Sequence, residues 1–136
     1  MLLNPNQTHK SILLVDDERD IVNLFTEVFK SRNYDVFGFT NPLKALEHYK
    51  KNYDQYGMVI SDIRMPEMNG LDLVKNLKKI NTNILIILMS AYDNIDYSQL
   101  NNIMINAFIQ KPIQIKELLS TVEKCLISIN ITKKSR

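Results

Sequence analysis

Three short apolar runs in the chain, Ile12-Leu13-Leu14-Val15, Met58-Val59-Ile60 and Ile84 to Met89, are continuous rather than alternating, and each is cut off at once by Asp or Ser. Unbroken hydrophobicity over so few residues marks a strand buried on both faces, as occurs in a parallel sheet covered by helices. Between the runs lie segments of helical period. From Glu18 to Arg32 the apolar positions Ile21, Leu24, Phe25, Val28 and Phe29 share one face, and acidic Glu18 and Asp20 sit where a helix dipole favours them. Tyr34 to Phe39 is aromatic and β-branched, and Asn41-Pro42 then offers a cap and a first helical residue for a helix to about Lys51. After the break at Pro66 to Gly70, Leu71, Val74 and Leu77 space a third helix. Asp93 to Met104 reads as a weaker helix, Ala107-Phe108-Ile109 as a short strand, and Ile115 to Ile129 as a final helix.

Five strands alternating with five helices predict an α/β fold with right-handed crossovers, a doubly wound parallel sheet. With the flavodoxin-like strand order 2-1-3-4-5, function belongs in the crevice beyond the carboxyl ends of the strands, where the order reverses.

A chain of 136 residues, 45% hydrophobic and 24% charged, suffices for one domain with one core. Lys and Arg exceed Asp and Glu by 17 to 15, and Lys133, Lys134 and Arg136 close the chain, so the remainder is near neutral and carries no broad footprint for a nucleic-acid backbone. One cysteine, Cys125, excludes an internal disulfide and a multi-thiolate zinc site, and suits a reducing, cytoplasmic setting. The run Ile84 to Met89 is far short of the roughly 20 residues that cross a bilayer. Gly38, Gly57 and Gly70 are too scattered for a phosphate-binding glycine loop, His9 and His48 fall in no HExxH pattern, and no Ser occupies a nucleophile elbow. Any chemistry therefore rests on carboxylates.

The strand ends supply them. Asp16 and Asp17 follow the first strand, Asp62 the third, Ser90 the fourth and Lys111 the fifth. Neighbouring first and third strands would bring Asp16, Asp17 and Asp62 together, and three such carboxylates repel unless a cation neutralises them. A hard, oxygen-ligated ion such as Mg2+ suits an open, loop-built site. With Lys111 as a second positive charge, a carboxylate there makes a poor base but a usable nucleophile toward a phosphoryl group.

Four segments carry a family resemblance: Leu14-Val15-Asp16-Asp17-Glu18, Ser61 to Gly70, Leu88-Met89-Ser90-Ala91 and Phe108-Ile109-Gln110-Lys111-Pro112. In this order and spacing the chain resembles the receiver domain of two-component response regulators, of the single-domain kind found in chemotaxis regulators. The resemblance covers about Ser11 to Ile129, implying a receiver domain over 11–129 with 1–10 and 130–136 as flexible termini. It implies Asp62 as phosphoacceptor from a histidine kinase, a phosphotransfer protein or a small acyl phosphate. It implies Mg2+ held by Asp17, Asp62 and the Arg64 carbonyl, with Asp16 acting through a water. Lys111 would pair with Asp62 and then with the phosphate, Ser90 and Phe108 would form the switch, and Pro112 would follow a cis peptide bond.

The implied output is a protein partner at the face of the 93–104 helix, the fifth strand and the last helix. Neither nucleic acid nor membrane is implied as a partner, and a homodimer is left open. The domain would catalyse only its own phosphorylation and dephosphorylation. The chain departs from the family in Arg64, where smaller or polar groups are common and whose guanidinium can screen the acyl phosphate. Tyr92, two residues beyond Ser90, would lie near the same opening, and Met104-Ile105 stands where Gly-Ala is frequent. Two alternatives remain at this point. One is the N-terminal receiver of a longer DNA-binding regulator. The other is a Mg2+-dependent phosphatase working through an aspartyl phosphate, against which stands the lack of a second carboxylate two residues beyond Asp62.

Overall fold

The structure, a computed structural model, describes residues 11–91 and 103–134. Its elements in chain order are β1 (Ser11–Val15), α1 (Arg19–Ser31), β2 (Val36–Phe39), α2 (Pro42–Asn52), a single 3-10 turn (Tyr53–Gln55), β3 (Tyr56–Asp62), α3 (Gly70–Ile80), β4 (Leu85–Ser90), β5 (Ala107–Gln110) and α4 (Ile115–Lys134). The five strands form one parallel sheet in the order β2-β1-β3-β4-β5. Fold class and strand order are those the sequence predicts. The helix expected over 93–104 lies outside the described residues apart from Ile103 and Met104, which are not helical, so the described residues hold four α-helices.

The unbroken apolar runs divide by parity between two cores. Ile12, Leu14, Met58, Ile60, Ile87 and Met89 pack with Val22, Phe25 and Phe29 of α1 and Leu118 and Val122 of α4. Leu13, Val15, Val59, Ile86 and Leu88 pack with Ala45, Leu46 and Tyr49 of α2 and Leu73, Val74 and Leu77 of α3. A strand buried on both faces therefore has no polar positions to alternate with.

Boundaries shift for identifiable reasons. β2 starts at Val36 rather than Tyr34, because Asn33 turns left-handed (φ 67) and the Tyr34 N–H still bonds to the Phe29 carbonyl (3.0 Å), closing α1. β3 starts at Tyr56, ahead of Gly57: Ser11 faces Tyr56 and Ile12 faces Met58, so Gly57 is the extra residue of a bulge. Tyr56 is fully buried, and its hydroxyl lies 2.7 Å from Nε2 of His48, which fits a satisfied structural histidine. α2 starts where expected, with the Asn41 side chain accepting the N–H groups of Leu43 (2.8 Å) and Lys44 (3.2 Å). The final helix runs on to Lys134, past the expected end at Ile129. No helix among the described residues is long and apolar enough to cross a membrane.

Candidate functional site

Parallel register determines where the polar strand ends meet. Val15 of β1 lies beside Ser61 of β3, and Asp62 beside Met89 of β4, so Asp16 and Asp62 emerge at one edge of the sheet. Asp16, Asp17 and Asp62 each present an oxygen within 4.8 Å of the others. Asp16 and Asp62 are buried and Asp17 is exposed, so the cluster opens to solvent on one side.

Lys111 reaches in from the end of β5. Its N–H donates to the Ser90 carbonyl at 2.6 Å, the Lys111-Pro112 peptide is cis, and Nζ lies 3.1 Å from Asp16 Oδ2 and 3.2 Å from Asp62 Oδ2. The ammonium is thus shared between two carboxylates rather than paired with Asp62 alone. Asp16 uses its other oxygen to accept the Glu18 N–H at 2.9 Å, at the start of α1, which has no cap from the Glu18 side chain itself. Both oxygens of Asp16 are therefore engaged within the protein.

The charges do not balance. Burial raises the Asp62 pKa above its ordinary value, Lys111 opposes the rise, and the charges of Asp16 and Asp17 add to it. For Lys111, burial alone would lower the pKa, but its bonds to Asp16 and Asp62 outweigh burial and hold the ammonium charged. Among the described residues one ammonium faces three carboxylates, and an all-oxygen donor set with an exposed member fits a hard divalent cation. Because the folded Asp62 has the higher pKa, its ionisation opposes folding. That cost is absent below the ordinary value of 3.8 and complete once the pH has passed the raised one. Asp62→Asn will accordingly raise Tm at pH 7 in metal-free buffer, and its advantage over the wild type will vanish in acid. Thermal melts across pH check this.

Ser90 is buried at the end of β4, and Arg64 is exposed two residues past Asp62. Phe108 is half-buried against the core on the α2 and α3 side. Ile105 packs against the same core, whereas Met104 is 80% exposed. Tyr92 lies outside the described residues. Two participants escape sequence reasoning. Gly70, read as a turn former, opens α3 so close to β3 that a Cβ there would collide with the Asp62 carbonyl oxygen. Ser61, which the apolar run conceals, is fully buried and donates to that same oxygen.

The match to known proteins is direct. The family model described as the response regulator receiver domain matches residues 12–123. The chain belongs to the response regulator receiver family. This receiver is 34% identical over 119 residues to sporulation initiation phosphotransferase F of Bacillus subtilis, covering 87% of this chain and 94% of that one. It is 33% identical over 120 residues to the DNA-binding transcriptional regulator NtrC of Azospirillum brasilense, covering 87% of this chain but 24% of that protein. Among solved structures it is similar to the CheX-CheY-BeF3-Mg2+ complex of Borrelia burgdorferi, with a TM-score of 0.80 and 25% identity over 90% of this chain and 94% of that one. Receivers are phosphoacceptor modules of two-component signalling, and the fold of this chain is theirs.

Proposed function

We propose that Asp62 of this receiver is the phosphoacceptor and that Asp16, Asp17, Ser90, Lys111 and the Arg64 carbonyl complete its site. The observation that carries this reading is the placement of the Asp62 carboxylate beside the Lys111 ammonium and within reach of two further carboxylates at the sheet edge. An Asp62 oxygen attacks the phosphorus of a phosphohistidine or of a small acyl phosphate. The new O–P bond forms as the bond to the donor nitrogen or oxygen breaks, and the donor leaves with that electron pair. Lys111, held charged, moves from the carboxylate to a phosphoryl oxygen, and the Ser90 hydroxyl supplies another charge-assisted donor. Bound Mg2+ supplies charge neutralisation for the phosphoryl oxygens. Asp17, Asp62 and the Arg64 carbonyl would hold it directly, and Asp16 through a water. The presence of BeF3 and Mg2+ in the similar Borrelia complex supports the metal's identity.

Drawing Ser90 inward frees space that Phe108 follows, and this biases two conformations that differ by a few kcal/mol. The readout is a protein partner on the face formed by the segment before β5, β5 and α4. A histidine kinase or phosphotransfer protein is the phosphoryl source, as the phosphotransferase name of the Bacillus relative suggests. We place the protein in the cytoplasm and assign it no direct nucleic-acid or membrane contact. Its catalysis is confined to its own phosphorylation and dephosphorylation, since the exposed Arg64 stands where a phosphatase of the aspartyl-phosphate type needs a second acid.

Titrating the protein with beryllofluoride and Mg2+, followed by backbone amide resonances, tests this reading. The mimic will bind only with both Mg2+ and Asp62 present. Asp17→Asn will weaken its Mg2+ requirement's half-saturation by at least about tenfold, from the loss of one charged ligand. Binding that ignores Mg2+ or survives Asp62→Asn would overturn it.

A further inference from the structure

The peptide plane just after Asp62 is held at both of its polar atoms. The Ile63 N–H donates to the Met89 carbonyl of β4 at 2.9 Å, and the Asp62 carbonyl accepts from Ser61 Oγ at 2.8 Å. One peptide unit further on, the Ile63 carbonyl accepts the Gly70 N–H at 2.7 Å, and the Gly70 Cα lies against the Asp62 carbonyl where no Cβ would fit. Every one of these partners except Ser61 is main chain. Ser61 is 0% exposed, so bulk water does not compete for its hydroxyl, and without it the Asp62 carbonyl loses this partner inside the protein.

From these contacts we infer that Ser61 is a positioning residue for the phosphoacceptor site. It acts through the Asp62-Ile63 peptide, whose orientation sets both the direction of the Asp62 carboxylate and the place of the Arg64 carbonyl. The inference rests on the proposed site, because those two groups matter together only if both face one cation. A hydroxyl at position 61 is thus part of the site's geometry although it touches neither phosphate nor metal. Ser61 lies one residue before Asp62 on β3, so its side chain points to the opposite face of the sheet. It enters from the α3 side, behind the carboxylates.

The test is a titration with Mg2+ alone, read by amide resonances around the site, together with hydrogen exchange of the Ile63 N–H. In Ser61→Ala the Mg2+ dissociation constant will rise about fivefold, the size of one neutral hydrogen bond expressed in binding. Exchange at Ile63 will quicken by a similar factor. Ser61→Cys, which retains a weak donor on a somewhat larger side chain, will fall between wild type and Ser61→Ala. It also serves as the working variant should Ser61→Ala not fold. A merely structural serine would lower Tm with the Mg2+ titration unchanged, and that result overturns the inference while leaving the site intact. A wild-type protein that binds no Mg2+ overturns the proposed site and this inference with it.

Discussion

Gly70→Ala will destabilise the protein by about 3 kcal/mol, a fall in Tm of about 10 °C for a domain of this size. Helix propensity alone points the other way, since alanine is favoured over glycine by about 1 kcal/mol inside a helix. Space decides the sign. A Cβ at Gly70 would meet the Asp62 carbonyl oxygen in a hard collision and would lie 2.9 Å from Ile63 Cα and 3.0 Å from the Asp62 carbonyl carbon. All three atoms are backbone, so no side chain can rotate away, and either the first turn of α3 or the end of β3 must shift. The same shift moves Asp62, and a displacement near 1 Å costs about a hundredfold in a reaction that depends on alignment. Chemical denaturation and the rate of adduct formation from acetyl phosphate, measured on one preparation, check both parts. A stable Gly70→Ala protein with wild-type phosphorylation would show that α3 does not brace the site.

The second large effect is expected at Lys111. Lys111→Met keeps the length of the side chain but removes the ammonium that bonds Asp16 and Asp62, two carboxylates exposed by 0% and 7%. Leaving buried charge without its partner costs about 3 kcal/mol at neutral pH. The loss will shrink in acid, where the carboxylates take up protons, and in millimolar Mg2+, which supplies the missing positive charge. In alkali the two proteins will converge. The Lys111 pKa is raised in the fold, so its stabilisation is complete below the ordinary 10.5 and disappears as the pH rises through the raised value. Urea titrations with and without Mg2+ at acid, neutral and alkaline pH measure this. A variant as stable as the wild type in metal-free neutral buffer would mean that the shared ion pair contributes nothing to folding.

The sequence made the architecture legible because burial on both sheet faces leaves a plain trace. Ile12 to Val15 and Ile84 to Met89 read as interior strands, and the helical spacing from Ile21 to Phe29 as a face packed on them. Convergence of Asp16, Asp17, Asp62 and Lys111 followed from strand order, since each lies at a strand's carboxyl end. The sharing of Lys111 between Asp16 and Asp62 was not legible, because it depends on ångström-scale reach across the sheet edge. Neither was the constraint at Gly70, where a turn-forming glycine and one required by close packing look identical in a sequence. Ser61 was hidden for a related reason: a lone serine closing an apolar strand carries no sign that its hydroxyl bonds the next carbonyl. The start of β3 at Tyr56 was missed because Gly57 reads as a break, whereas a bulge absorbs it within the strand.

On the proposed reading Asp62 takes a phosphoryl group in a metal-dependent reaction. Incubating the protein with Mg2+ and acetyl phosphate while following its intact mass tests this most directly, with Asp62→Asn and metal-free samples run beside it. A single phosphoryl adduct is expected on the wild-type protein and none in either control. An adduct that persists in Asp62→Asn would contradict it, as would no adduct together with no Mg2+-dependent binding of beryllofluoride.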